Sequence, residues 1–268
     1  MTFTIGLLIV TLVALACCAV GFYKYVYFIS IGYGFAISGQ GAAMLFIFAD
    51  RLNVWMVITC VILILYGFRL SGYLLIREIK SKSYQKHMKN EIKDGKGMKF
   101  GIKVLLFLCC GLLYVCMISP VFYRFSNGFT EVSPTYIIGT VLMVGGILLE
   151  SFSDLSKNRQ KKINPKRFCD KGIFKLVRCP NYLGELILWT GVFVFGVTSL
   201  KTAGQWIIAV LGYIGIVFVM FSGARRLEVR QNRNYGDDPE YQAYVKKVPI
   251  MIPFIPLYSV EKYKFLVL

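Results

Sequence analysis

Long apolar runs separated by shorter polar connections dominate the pattern of this chain. Seven stretches approach the roughly 20 apolar residues that a helix needs to cross about 30 Å of hydrocarbon. Backbone groups in lipid must pair within their own segment, so each stretch is predicted to be an α-helix. The predicted spans are residues 3–23, 26–49, 53–76, 103–122, 134–152, 181–199 and 204–223. The predicted fold class is therefore all-α, a polytopic membrane protein with seven transmembrane helices.

Lysines and arginines are distributed unevenly between these stretches. With the N-terminus outside, 27 of the 31 fall on the cytosolic side, in the loops 77–103 and 157–178, in the tail after residue 223 and at Lys24. The opposite side holds only three, Arg51, Arg124 and Lys201. Cytosolic segments of membrane proteins carry such an excess of basic residues. We therefore predict that the N-terminus is outside and the C-terminus is cytosolic.

The composition fits a membrane protein and disfavours several other classes. The chain of 268 residues is 56% hydrophobic and only 17% charged, whereas soluble domains are about 25% charged. Six of the eight cysteines lie in apolar runs, which argues against a disulfide scaffold, and Cys169 and Cys179 in a cytosolic loop are expected to be reduced and inert. The single histidine, His87, disfavours multi-histidine metal sites, and no metal is expected.

The net charge of +17 is explained mainly by this topology and by contact with anionic headgroups. No nucleic-acid-binding motif accompanies it, so no nucleic-acid partner is expected. No polar segment is long enough to bury a core of its own, and residues 1–268 are predicted to form a single integral membrane domain. Within it, residues 1–76 hold three tightly connected helices, and residues 103–268 hold four helices with long basic connections and a polar tail. The oligomeric state stays open.

Ionisable residues inside a membrane usually face a cavity or a partner. Tyr66, Arg69 and Tyr73 share one face of the third span, either as a snorkelling arginine with interfacial tyrosines or with the Tyr66 phenol in a cavity. Glu150 and Asp154, four residues apart, share another face. They suit an ion-pair ladder with Lys157 and Lys161, which the spacing favours, or the hydroxyl pair of a ribose.

The richest stretch is residues 172–191, GIFKLVRCPNYLGELILWTG. Pro180 suits the first turn of a helix but not its interior, so the sixth helix is predicted to begin near Asn181. Glu185 lies one turn further on and shares a face with Asn181. An anionic cofactor at this helix start would meet Arg178 and free amide groups. Alternatively, Glu185 pairs with Arg178 and the helix start is only capped.

The C-terminal part carries further basic and aromatic residues. Three arginines align on one side of a helix that continues beyond the seventh span, namely Arg226, Arg230 and Arg233. Guanidinium groups bind phosphate through paired hydrogen bonds, and lipid headgroups would satisfy them equally well. After Tyr241 and Tyr244, the proline-punctuated apolar segment 248–256 is predicted to lie at the membrane interface as a lid or an anchor.

Several of these pieces, taken in order, resemble the steroid 5-alpha-reductase-like family of membrane reductases. They are YGFAISGQ in the second span, YGFRLSGYLLIRE in the third, the E-x-x-x-D of Glu150 and Asp154, G-x-F-K-L-x-R-C-P-N-Y-L-G-E-L-I-L-W, and the closing P-E-Y-Q-A-Y with V-P-I-M-I-P-F-I-P. The P-N-Y-x-G-E-x-x-x-W block is the most specific of them.

The resemblance implies a reductase that holds NADPH in a cytosol-facing cavity of the last four helices. A lipophilic enone substrate would lie deeper, among the first helices and in contact with membrane lipids. Tyr66 stands where the steroid enzymes place the tyrosine that hydrogen-bonds the substrate carbonyl, and Gln40 is the nearest polar candidate for its partner. The candidate cofactor-binding residues are Glu150, Asp154, Lys161, Arg178, Asn181, Tyr182, Glu185, Arg226, Arg230, Tyr241 and Tyr244.

Two other functions compete with this interpretation. Membrane isoprenylcysteine carboxyl methyltransferases share a similar R-H-P-x-Y-x-G block and bind S-adenosylmethionine there, whereas this chain has Cys179 at the histidine position and continues as G-E-x-x-x-W. A non-enzymatic lipid-binding or transport protein would keep the helices and basic loops without a reductase site. The reductase is the preferred hypothesis. Its membrane would be the cytoplasmic membrane of a bacterium or the endoplasmic reticulum of a eukaryote.

Overall fold

The computed structural model describes residues 2–80 and 97–266, and within these ranges it contains helices and no strands. His87 and most of the basic loop 77–103 lie outside the described residues. The α-helices are α1 (Phe3–Cys18), α2 (Ile31–Ile47), α3 (Val54–Lys80), α4 (Phe100–Ser126), α5 (Pro134–Ile163), α6 (Pro180–Val197), α7 (Ala203–Tyr235) and α8 (Pro239–Lys247). The all-α class is thus confirmed for the described ranges, and each predicted span contains a helix.

Within the described ranges, five helical segments are long and apolar enough to cross a membrane. They are Phe3–Phe22, which extends α1 by a short 3₁₀ turn, and the helices α3, α4, α5 and α7. The apolar α2 has 17 residues and α6 has 18. The predicted start of the sixth helix near Asn181 agrees with the observed start at Pro180 to within one residue.

The second predicted span, 26–49, is interrupted near its start. Tyr25–Ile29 forms a 3₁₀ helix, and Ser30 has non-helical backbone angles of φ −128° and ψ −92°. The carbonyl oxygens near this break are satisfied locally, because Ser30 Oγ donates to Val26 and the Tyr114 hydroxyl donates to Phe28. These bonds allow the interruption before α2, which begins at Ile31 and which the apolar pattern alone does not reveal.

The chain divides into two compact units. The first unit comprises Met1–Ile137 and Phe193–Gly212, and the second comprises Ile138–Val192 and Tyr213–Leu268. The candidate residues Gln40 and Tyr66 belong to the first unit, and every candidate cofactor-binding residue belongs to the second.

In the first unit, glycines let α2 and α3 touch along their backbones. A Cβ atom on Gly67 would lie 2.1 Å from the carbonyl oxygen of Gly34. Two serines bind across this contact, since Ser38 Oγ donates to the Ile64 carbonyl at 2.9 Å and Ser71 Oγ donates to the Ile31 carbonyl at 2.7 Å. Such small and hydroxylated residues stabilise helix pairs in lipid, where helix association gains little from the hydrophobic effect. This contact fixes the register of α2 against α3.

In the second unit, glycines bring α5 and α6 equally close. A Cβ on Gly146 would lie 2.5 Å from the carbonyl oxygen of Gly184, and one on Gly191 would lie 2.6 Å from that of Gly139. One turn beyond Gly146, the backbone nitrogen of Glu150 lies 2.7 Å from the Cβ position of Gly184. The packing therefore places Glu150 of α5 beside the start of α6.

Two adjacent glycines of α5 provide a matched test of this packing. Gly146→Ala is expected to destabilise the fold by about 1–3 kcal/mol, because its new methyl group meets backbone atoms that cannot move aside. Gly145→Ala meets nothing within 4 Å and removes a flexible residue from a helix, so it should leave stability unchanged or raise it slightly. Thermal unfolding in detergent, followed by tryptophan fluorescence, measures both. Equal melting temperatures for the two variants would contradict the close contact between α5 and α6.

Candidate functional site

The first unit contains a buried pair of phenols. Tyr66 of α3 is 0% exposed, and its hydroxyl lies 2.8 Å from that of Tyr33 in α2, with either oxygen able to donate. The Tyr33 ring stacks on Tyr114 of α4, with centroids 5.2 Å apart. Because Tyr66 is fully buried, it is not an interfacial tyrosine, and of the two alternatives for this helix face the structure favours the phenol directed into the protein.

Gln40 does not form the expected hydrogen bond with Tyr66. It is 0% exposed, and neither Nε2 nor Oε1 has a hydrogen-bond partner among the described residues. The hydroxyl of Tyr66 instead lies next to that of Tyr33, which precedes Gln40 by seven residues on α2. The expectation failed because the sequence showed which residues share a helix, but not which side chain reaches across to α3.

In the second unit, the start of α6 meets the end of α7. The phenol of Tyr182 lies within electrostatic range of the guanidinium groups of Arg226 and Arg230 and of the Glu185 carboxylate. A Cβ on Gly223 would lie 3.2 Å from the Tyr182 hydroxyl, so this glycine makes room for the ring against α7. Three other predicted cofactor-binding residues, Glu185, Arg226 and Arg230, therefore lie near Tyr182.

The remaining acidic and amide candidates flank this cluster. Glu150 is buried beside Gly184, and Glu185 is buried on α6. Asn181 and Asp154 are half-buried. α7 continues as one helix to Tyr235, which confirms the predicted extension beyond the seventh span, and Arg226 is exposed on it.

Arg178 is used within the protein. Its Nη2 forms a buried ion pair with Glu228 Oε1 at 2.9 Å, and both side chains are nearly inaccessible, at 1% and 3%. The same nitrogen donates to the Tyr258 carbonyl, and Glu228 Oε2 accepts from the Val260 amide at 2.8 Å. The alternative in which Glu185 pairs with Arg178 is not observed, because Arg178 pairs with Glu228. Arg178 therefore joins α6, α7 and the C-terminal tail, and its guanidinium is buried away from any exposed phosphate.

The tail also occupies the amide groups that precede α6. The Arg178 amide donates to the Pro249 carbonyl and the Cys179 amide donates to the Ile250 carbonyl, each at 2.9 Å. The expectation of free amide donors for an anion is thus not met at these two positions. The first residues of the segment 248–256 are thus bonded to the two residues before α6, while Phe254 further along is 94% exposed with a φ of 66°.

Three further candidates hold the basic loop and the tail in place. Lys161 Nζ donates to the Arg167 carbonyl at 2.5 Å and to the Tyr235 hydroxyl at 2.9 Å. The Tyr241 hydroxyl donates to Asn232 Oδ1, and the Tyr244 hydroxyl donates to the Phe174 carbonyl, each at 2.7 Å. Burial raises the pKa of Tyr241 to about 12, although the nearby Arg178 opposes the shift. These side chains support the site from within the protein.

Cys179, in the R-C-P-N-Y block before α6, is chemically silent. It is fully buried and free, and burial raises the pKa of its thiol to about 12, against the opposing effect of Arg178. The thiol is therefore protonated and neutral at pH 7. It supplies neither a charge nor a proton acceptor to the start of α6.

Comparison with known proteins places the chain in a family. The family described as "Protein of unknown function (DUF1295)" matches residues 23–248. The chain belongs to the DUF1295 family. It is also similar to the steroid 5-alpha-reductase DET2 of Arabidopsis thaliana, with 27% identity over 123 residues, which cover 45% of this chain and 42% of the plant protein. The chain thus matches less than half the length of this relative.

No solved structure matches this member of the DUF1295 family. The family match and the plant relative confirm the resemblance to steroid 5-alpha-reductases inferred from the motifs. Together with the five long apolar helices, they indicate a multi-pass membrane protein of a reductase family.

Sequence reasoning missed two important residues of this DUF1295 protein. Tyr33 was not among the candidates, and nothing in its spacing signals a bond to Tyr66. Glu228 had a usable signal, because it is the one acidic residue in the run R-R-L-E-V-R, where surrounding guanidinium groups favour an ion pair.

Proposed function

We propose that the protein is an NADPH-dependent membrane reductase of a conjugated C=C bond in a lipophilic substrate, such as a 3-oxo-4-ene steroid or a related enone lipid. The observation that carries the proposal is the buried phenol pair of Tyr33 and Tyr66. Membership in the DUF1295 family and the similarity to a steroid 5-alpha-reductase support it.

The proposed topology has seven spans, with the N-terminus outside. The five long apolar helices support it, and α2 and α6 would be the two shorter spans. The excess of basic residues in the segments assigned to the cytosol supports the orientation. In this arrangement the start of α6 and the end of α7 face the cytosol, from which a soluble cofactor arrives.

The cluster around Tyr182 has the chemistry that a phosphorylated dinucleotide requires. Arg226 is exposed and Arg230 half-exposed, so both can reach an incoming ligand, and guanidinium groups bind phosphates through paired hydrogen bonds. Asn181, Tyr182 and Glu185 would orient the ligand at the helix start. Glu150 and Asp154 would accept hydrogen bonds from ribose hydroxyls. Lys161, Arg178, Tyr241 and Tyr244 would act indirectly, by holding the loop and tail that surround this cluster.

Bound NADPH would supply a hydride to the β-carbon of the enone. The residues of the chain stabilise the charge that develops on the substrate carbonyl oxygen. Tyr66 would donate its hydroxyl proton in a hydrogen bond to that oxygen, while Tyr33 donates to Tyr66 and so directs the Tyr66 proton toward the substrate. A donor fixed in a site without water stabilises such a charge strongly, because it needs no reorganisation.

The assay that tests this function uses the purified full chain in detergent. The protein is incubated with NADPH and a panel of 3-oxo-4-ene steroids and other enones, and the loss of nicotinamide absorbance is followed. A parallel binding measurement with S-adenosylmethionine tests the methyltransferase alternative. Consumption of NADPH that depends on an enone supports the proposal. Binding of S-adenosylmethionine without NADPH turnover would favour the methyltransferase, and inactivity with both would favour a lipid-binding protein.

The arginines at the end of α7 give a separable prediction. The double substitution R226A/R230A is expected to raise the KM for NADPH by about 10–100-fold, because charge-assisted hydrogen bonds to phosphate are lost. The kcat should change only a few-fold, since both arginines belong to the second unit and the phenol pair belongs to the first. The matched control K246A/K247A removes the same charge from the exposed face of α8. Equal increases in KM for both double variants would show a general charge effect and contradict a specific phosphate contact.

A further inference from the structure

Gln40 is an unexplained polar group in the centre of the first unit. Its side chain is 0% exposed, and both its amide nitrogen and its amide oxygen lack hydrogen-bond partners among the described residues. The serines of the same helix pair, Ser38 and Ser71, are each satisfied by a carbonyl across the α2–α3 contact. Buried polar groups are nearly always paired, and an unpaired amide in an apolar interior is costly. The amide of Gln40 is therefore available to a group that the described part of the chain does not supply.

The position of Gln40 relates it to the phenol pair. It follows Tyr33 by seven residues, which is two helical turns, so the two side chains share one face of α2. Ile37 and Met44 lie on the same face and are fully buried. With a rise of 1.5 Å per residue, the Gln40 amide and the Tyr33 phenol are attached about 10 Å apart along the helix.

Other faces of α2 are filled by close helix contacts. A Cβ on Gly41 would lie 3.2 Å from the carbonyl oxygen of Cys60 in α3, and a Cβ on Gly39 would lie 2.8 Å from Val13 in α1. The Tyr33 ring, by contrast, reaches Tyr66 of α3 and Tyr114 of α4. The face that carries Gln40 is thus the one directed between α3 and α4, with a polar group at Tyr33, another at Gln40 and the apolar Ile37 between them.

We infer that Gln40 binds a second oxygen of the substrate, a ketone or hydroxyl at the end opposite the conjugated carbonyl. The inference rests on the proposed function, which assigns the conjugated carbonyl to the Tyr33–Tyr66 pair. The amide nitrogen of Gln40 donates to a ketone oxygen, and its amide oxygen accepts from a hydroxyl. A separation of about 10 Å with apolar surface between matches a rigid, fused-ring lipid oxygenated at both ends better than a hydrocarbon with one polar head.

Two probes that differ by one oxygen test this inference. Androst-4-ene-3,17-dione carries the distal ketone, and androst-4-en-3-one lacks it. Binding of each is measured on the purified full chain by calorimetry without NADPH. The unsubstituted protein is expected to bind the diketone about tenfold more tightly or better, because the monoketone leaves the buried amide unpaired. In Q40M and Q40L, which give two apolar replacements of similar size, the ratio of affinities should fall to about one.

The control is M44L, one turn further along the same face, which should keep the preference for the diketone. Equal affinities for the two probes in the unsubstituted protein overturn the inference, as does a preference that persists in folded Q40M or Q40L. The binding measurement does not depend on turnover, so the two proposals fail separately. If Q40M loses the preference for the diketone and the unsubstituted protein consumes no NADPH, the distal oxygen site at Gln40 is supported and the reductase proposal is overturned. If the unsubstituted protein reduces both probes and binds them with equal affinity, the reductase proposal is supported and the distal oxygen site is overturned.

Discussion

Replacing Tyr66 with phenylalanine is expected to lower kcat by about 100–1,000-fold, the effect of removing one donor from an oxyanion-stabilising site. The substitution removes only the hydroxyl group from a ring that is 0% exposed, so the packing of α2 against α3 is retained. The KM for NADPH should stay within a few-fold, because the candidate cofactor residues belong to the second unit. Steady-state kinetics with a responsive enone measures both parameters.

Substitutions of two neighbouring tyrosines distinguish an effect on catalysis from an effect on packing. Tyr33→Phe removes the group that orients the Tyr66 proton and should lower kcat by about tenfold, less than Tyr66→Phe. Tyr114→Phe breaks a bond to the Phe28 carbonyl and is expected to affect stability more than kcat. If Tyr66→Phe and Tyr114→Phe lower kcat equally, Tyr66 has no special role and its assignment as the donor is wrong.

Breaking the ion pair between Arg178 and Glu228 is expected to give the largest loss of stability. Arg178→Met leaves the Glu228 carboxylate buried and without its counter-charge, which costs about 3–5 kcal/mol. The tail contact is lost in part as well, because Arg178 also donates to the Tyr258 carbonyl. Denaturation in detergent, together with limited proteolysis of the tail after Lys247, measures the unfolding and the release of the tail.

An exposed arginine in the adjoining loop provides the matched control. Arg167 pairs with Glu240 at 2.5 Å, but these side chains are 37% and 64% exposed. Arg167→Met should therefore cost at most about 1 kcal/mol. The double substitution R178M/E228M removes both buried charges and should cost less than the sum of the single substitutions. Additive losses would show that the two residues do not stabilise each other, contrary to the observed pair.

The helices of the chain were predictable because long apolar runs in lipid have few alternatives to the helix. The start of α6 was also predictable, since Pro180 is compatible with a first helical turn and not with an interior one. The break at Ser30 was not, because a carbonyl group beside it is satisfied by Tyr114, which lies more than 80 residues away in the sequence. Hydropathy records how apolar a segment is and carries no information about such distant partners.

The sequence indicated which residues could form the candidate site, but it did not indicate which of their side chains pair with each other. Helical spacing grouped the polar residues at the start of α6, and in the structure Tyr182 lies within electrostatic range of Arg226 and Arg230. Spacing within one helix does not reveal partners on another helix. For this reason Glu228 rather than Glu185 pairs with Arg178, and Tyr33 rather than Gln40 pairs with Tyr66. The Tyr33–Tyr66 pair joins the same two helices that Gly34 and Gly67 bring into close contact.

Transfer of a labelled hydride is the most direct test of the proposed reductase. The purified protein is incubated with androst-4-ene-3,17-dione and NADPH that carries deuterium at both C4 positions of the nicotinamide, and the product is examined by mass spectrometry and NMR. The expected product is the saturated ketone with one deuterium on the former β-carbon and none elsewhere. Recovery of the unchanged, unlabelled enone, with the same result for other conjugated ketones, would contradict the proposal that this protein reduces enones with NADPH.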